Sequence, residues 1–146
     1  MNKLLFLLFS LCLVIAVGCS RGPVCYVVEG VVTFKDAPLS GASVTFVPVD
    51  PTKGTHYATG RTDDEGRFTL TAAQFGVAGK GTTAGDYYVT VTRNEDEPSS
   101  FEPSGYGPIP VYKSLIPTRY ANQTTSNLQA VVEKKKNSFT FVVEEK

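Results

Sequence analysis

The sequence predicts an all-β fold, an antiparallel β-sandwich of about seven strands. From Val24 onward apolar residues recur with period two, clusters of Gly, Pro and Asp break that alternation, and no segment sustains a helical period. A chain of 146 residues leaves room for one such domain.

In the first predicted strand, Tyr26, Val28, Gly30, Val32 and Phe34 share one face, opposite Glu29, Thr33 and Lys35. The turn at residues 36–41 leads to a second strand in which Val44 and Phe46 alternate with Ser43 and Thr45 up to Pro48. These two strands are expected to open the domain as a hairpin. A weaker third strand covers residues 57–62, where Gly60 signals a bulge or a close approach of backbone. Asp63-Asp64-Glu65-Gly66 then supplies a turn, and Phe68 and Leu70 form the inward side of a fourth strand. Residues 86–92 are the clearest strand after the first, with Tyr87, Val89 and Val91 on one face and Tyr88, Thr90 and Thr92 on the other. Leu128, Ala130 and Val132 mark the sixth; Phe139, Phe141 and Val143 mark the seventh, after the polar turn Lys134-Lys135-Lys136-Asn137.

Residues 71–85, rich in Gly, and 94–117, with Tyr106 and Tyr112 among five prolines, read as connections. Loops that long in a small domain are either functional or an elaborated edge. Each strand offers one apolar face and needs a facing sheet to cover it, which makes two layers. Without a Cys–Trp–Cys core, a true antibody-type domain is excluded, and the interior must be aliphatic and Phe/Tyr.

Charge excludes one class of partner. The 14 Lys and Arg balance the 14 Asp and Glu, so no global field draws the chain to nucleic acid. A single His and 3 Cys leave too few ligands for a zinc or iron–sulfur site, so no metal and no cofactor are expected.

The first residues differ in kind from the rest. Lys3 precedes a run that is apolar over residues 4–17 apart from Ser10, and Gly18-Cys19 follow. Residues 1–18 are read as a removed signal peptide, because the run falls short of the roughly twenty residues a spanning helix needs. Ile15-Ala16-Val17-Gly18-Cys19 resembles the lipobox of bacterial lipoproteins. The resemblance implies that Cys19 is the lipid attachment site and that acyl chains hold the protein to a membrane, stably when two or more are present. Residues 19–23 then form a short tether, in which Ser20-Arg21-Gly22-Pro23 reach at most about 14 Å, and residues 24–146 form the sandwich. Cys12 leaves with the signal and the lipid takes Cys19, so Cys25 is the one ordinary thiol, read as a small buried apolar group or a reactive one.

The strand residues carry a second resemblance. Glu29-Gly30-Val31-Val32-Thr33-Phe34, Pro38-Leu39-Ser40-Gly41-Ala42-Ser43-Val44-Thr45-Phe46 and Gly60-Arg61-Thr62-Asp63-Asp64-Glu65-Gly66-Arg67-Phe68 are similar to the carboxypeptidase regulatory-like domain, with Gly85-Asp86-Tyr87-Tyr88-Val89-Thr90-Val91 as its G-x-Y-x-V-x-V strand. Ile116-Pro117-Thr118-Arg119-Tyr120 and Thr125-Ser126-Asn127-Leu128 resemble the tail of small lipoproteins of planctomycete-type bacteria. The resemblance implies a transthyretin-like (prealbumin-like) sandwich related to the Ig-like Greek key, acting as an accessory or interaction module without catalytic residues.

The remaining motifs are weak as chemistry. Asp63-Asp64-Glu65-Gly66 lacks the alternate spacing of a calcium loop, and Gly79-Lys80-Gly81 has neither the first Gly nor the helix of a phosphate loop. His56 has no sequence partner for a relay and is read as an exposed residue at a strand edge, and no G-x-S-x-G elbow occurs. Lys35 invites an isopeptide bond, for which the predicted last strand, residues 139–143, offers no Asn or Asp, with Asn137 just outside it. Tyr106-Gly107-Pro108-Ile109-Pro110-Val111-Tyr112 is the best recognition candidate, its aromatics either capping the open end of the sandwich or meeting a ligand. The sequence thus points to a membrane-anchored lipoprotein of the bacterial cell envelope that is a binding or structural module rather than an enzyme. Its partner would be an envelope protein or a glycan, the glycan being bound through Tyr106 and Tyr112; a hydrolase using His56 is the less favoured alternative.

Overall fold

The computed structural model describes residues 23–74 and 77–145, so the signal segment, Cys19 and the tether up to residue 22 lie outside the described residues. Among the described residues twelve strands follow one another, with short 3-10 turns at Pro51–Lys53 and Thr118–Ala121. In order they are β1 (Val28–Phe34), β2 (Ala37–Pro38), β3 (Ser43–Pro48), β4 (Ala58–Arg61), β5 (Arg67–Thr69), β6 (Thr71–Gln74), β7 (Val77–Lys80), β8 (Gly85–Thr92), β9 (Ser100–Glu102), β10 (Ile109–Val111), β11 (Leu128–Val132) and β12 (Asn137–Val143).

The domain is all-β. One sheet has the order β12-β1-β2, with β5 also on β1; the other runs β11-β8-β3-β4-β6-β7; β9 and β10 form a separate ribbon. Among these strands every ladder is antiparallel except β1 with β12, whose register runs in parallel from Val28 against Asn137 to Phe34 against Val143. The period-two faces read from the sequence are the buried ones. Val28, Val32, Val44, Phe46, Tyr87, Val89, Val91, Ala130, Val132, Phe141 and Val143 join one core cluster, with Tyr26, Phe34 and Phe139 half-buried against it.

Aromatic rings join the two layers. Phe46 of β3 lies 5.7 Å from both Tyr87 and Phe139 and 6.1 Å from Phe141, and Phe68 stacks on Phe141 at 6.2 Å. Burying such rings removes a large apolar area from water, and their tilted geometry suits the ring quadrupoles. The buried Tyr87 hydroxyl donates to the Thr83 carbonyl oxygen at 2.9 Å and meets the Thr82 and Thr83 hydroxyls.

The expected opening hairpin of the first and second predicted strands does not form. Lys35 and Asp36 both adopt positive φ, as a tight two-residue hairpin turn requires, and return the chain at once as β2 beside β1. The chain then crosses to the other layer, where β3 pairs with β4 and β8. Residues 71–85, read as a connection, instead begin with the hairpin β6–β7. Gly60 is the close approach expected of it: a Cβ there would sit 2.5 Å from the Thr69 carbonyl oxygen.

Candidate functional site

Ordered structure also occupies the proline-rich stretch. The chain leaves β8 at Thr92, and Leu115 donates its N–H back to the Arg93 carbonyl oxygen at 2.7 Å. Between these ends, Asn94 bridges to Ser114, Glu95 donates to Lys113, and β9 pairs with β10 through Ile109–Glu102, Pro110–Phe101 and Val111–Ser100. The tip is a tight turn, in which Gly107 donates its N–H to the Ser104 carbonyl oxygen and the Ser104 hydroxyl meets the Gly107 carbonyl oxygen.

Arg93 fixes the base of this ribbon. Its Nε donates to the Ser40 carbonyl oxygen at 2.9 Å, and its terminal nitrogens donate to both carboxylate oxygens of Asp96 at 3.0 and 3.3 Å. The side chain of Arg93 is mostly covered while that of Asp96 is exposed. The Arg93 hydrogen bonds, and then its charge, hold the Asp96 carboxyl below its ordinary value.

The expectation that the aromatics close the end of the sandwich does not hold. Tyr106 at the tip is fully exposed, and Tyr112 is 44% exposed. Phe101 and Pro110 lie opposite each other and so share a face, to which the strand alternation also carries Tyr112. Phe101 is 60% exposed, and Ile109, on the opposite face beside Glu102, is 55% exposed. The sequence reading missed Phe101; the alternation Ser100-Phe101-Glu102, bounded by Pro98 and Pro103, was its only signal.

This ribbon stands at the end of the domain away from the N-terminal entry. Tyr26 bridges to Thr82, whose hydroxyl donates to the His56 carbonyl oxygen, beside the start of β8. The ribbon leaves the other end of β8, where Thr92 pairs with Ser43, so the length of that strand, roughly 23 Å at 3.3 Å per residue, separates them.

The other sequence motifs have structural duties. Asp63 Oδ1 accepts the N–H groups of Glu65 and Arg67, and Asp64 Oδ1 accepts the Ser40 hydroxyl, which makes the acidic run a turn. Lys35 pairs with Glu145 at 2.8 Å. Asn137 is buried, its side chain accepting the Glu133 N–H and donating to the carbonyl oxygens of Glu133 and Lys135. His56 is half-buried ahead of β4 rather than exposed on a strand edge. Cys25 is half-buried and unpaired to any other described cysteine. Among the described residues no group of His, Cys, Asp and Glu is gathered as a metal site, and no helix is long and apolar enough to cross a membrane. A groove of about 450 Å³ on the outside of β1 and β5 is lined by Glu29, Val31, Asp63, Arg67, Thr69 and Ser138.

Fold and ribbon together define an all-β domain of two packed sheets that presents an aromatic, proline-stiffened projection. No family model, curated protein or solved structure matches the chain.

Proposed function

We propose that this chain is a lipid-anchored module of the bacterial cell envelope, held through Cys19, that binds a partner and carries no chemistry of its own. The motifs similar to carboxypeptidase regulatory-like domains support the reading as an accessory sandwich. The single observation that carries it is the ribbon. Large apolar side chains ordinarily lie in a core, and several exposed ones gathered on one braced projection, Phe101, Tyr106, Ile109 and Tyr112, are characteristic of a contact surface. With the described chain entering near Tyr26 at one end and the ribbon at the other, an anchor at Cys19 would leave the aromatics facing away from the membrane.

A glycan is the second reading. Phe101 and Tyr112 on one face, spaced by Pro110, make a flat apolar strip of the kind on which sugar rings stack. In-cell crosslinking tests both. A defined protein or glycan captured by the wild type, and lost with Tyr106→Ala/Tyr112→Ala, is the expected result. Membrane release of Cys19→Ala tests the anchor separately. Capture unchanged by the ribbon substitutions would defeat the proposal.

A further inference from the structure

The outer edge of β12 is a second surface, independent of the ribbon. Among the described residues β12 has a strand partner only on its β1 side. The Asn137 N–H points to Val27 on that side, so the backbone groups of Ser138, Thr140 and Val142 point outward. Natural sheet edges are ordinarily blunted by Lys, Pro or a bulge, yet Asn137–Val143 contains no charge and no proline. Its outward side chains include Val142, 54% exposed.

The sequence around this edge is self-complementary. Lys135 and Lys136 precede it and Glu144 and Glu145 follow it. In an antiparallel pair of two β12 strands centred on Thr140, Thr140 faces its own copy and Ser138 faces Val142. Phe139 faces Phe141, Lys136 faces Glu144 and Lys135 faces Glu145. Centring the pair on Phe139 instead leaves one opposition, Lys134 to Glu144, and sets Glu133 against Glu145, and centring it on Phe141 sets neither Glu144 nor Glu145 against a lysine. We infer that β12 is a homodimerisation edge, pairing antiparallel with a second copy of this chain about a two-fold axis at Thr140 and joining two sheets into one.

Local details agree with that occupant. The Glu144 N–H donates to the Tyr120 hydroxyl, and Arg119 donates to the Glu144 carbonyl oxygen, so the backbone ladder ends at Val142 and leaves the Glu144 side chain for the partner's Lys136. A groove of about 390 Å³ lies beside Val142 and Glu144, lined also by Arg119, Tyr120 and Leu128. The Asn137 side chain holds the lysine turn in place at the other end. Within one copy Lys136 pairs with Glu29 and Glu145 with Lys35, all exposed side chains whose ion pairs rearrange at little cost. The free edge of β11 has no such pattern, since Asn127 and Glu133 flank it.

Sedimentation of the full chain in density-matched detergent is the test. The wild type is expected to be a dimer, and Glu144→Lys/Glu145→Lys to weaken it by about tenfold or more through like-charge contacts. Adding Lys135→Glu/Lys136→Glu to that variant is expected to restore the dimer, because the charges then oppose again with their signs exchanged. Thr140→Pro removes only an outward N–H, which an edge strand tolerates, and is expected to leave a folded monomer. A monomeric wild type, a dimer indifferent to the double charge reversal, a folded quadruple variant that stays monomeric, or a folded Thr140→Pro dimer would each overturn the inference.

Discussion

The interior and the ribbon are built from the same residue types and end in opposite environments. Phe46, Phe139 and Phe141 alternate along strands as Phe101, Pro110 and Tyr112 do, yet the first set meets rings from the facing layer and the second meets solvent. Alternation decides which side chains share a face. Whether that face is buried depends on a second sheet lying across it, and the two strands of the ribbon have none.

Substitutions should separate the two regions by size of effect. Phe46 is fully buried and touches three rings, so Phe46→Ala is expected to cost about 3–5 kcal/mol, read by chemical denaturation. At the N-terminal end, Gly81 has φ +94 and a Cβ there would lie 1.8 Å from the Tyr26 carbonyl oxygen. Gly81→Ala is therefore expected to cost about 2–4 kcal/mol, since both backbone strain and overlap oppose it. Thr62→Val should cost about 1–3 kcal/mol, because the buried Thr62 hydroxyl accepts the Ala42 N–H and donates to the Leu39 carbonyl oxygen.

At the ribbon the expected changes are local. Arg93→Ala should raise amide exchange across residues 94–117 while the denaturation midpoint moves little. Acidification should act similarly. The Asp96 carboxyl titrates below its ordinary 3.8 when bound to Arg93, so its contribution is complete above that value and lost as pH falls through the lowered one. Exchange measured above and below pH 3.8 checks the sign. Tyr106→Ala, at the exposed tip, is expected to change stability by less than about 0.5 kcal/mol while abolishing partner capture. A large stability loss there would erase the distinction between core and ribbon.

Much of the core was legible because it rests on local pattern. The buried faces of β1, β3, β8, β11 and β12 follow from alternation in Val32, Phe46, Val89, Ala130 and Phe141. Pairing was less legible, because it depends on contacts distant in sequence. Nothing local announces that Val28 lies beside Asn137, or that the Lys35-Asp36 turn sends β3 to the other layer. The candidate site divides in the same way. Tyr106 and Tyr112 stood out within a glycine- and proline-rich run, whereas the clamp from Arg93 to Ser40 spans separate segments and carries no motif.

The parallel register of β1 and β12 makes neighbours of the first strand and the last. A chain emerging N-terminus first, from a ribosome or through a membrane pore, therefore exposes Val28 and Val32 with one flank open until Val143 has followed them. Long-range closure of this kind is slow, and it makes folding of this sheet wait for β12. A product truncated before Asn137 lacks the strand that completes this sheet, so acquisition of the native state also reports that synthesis has passed Val143.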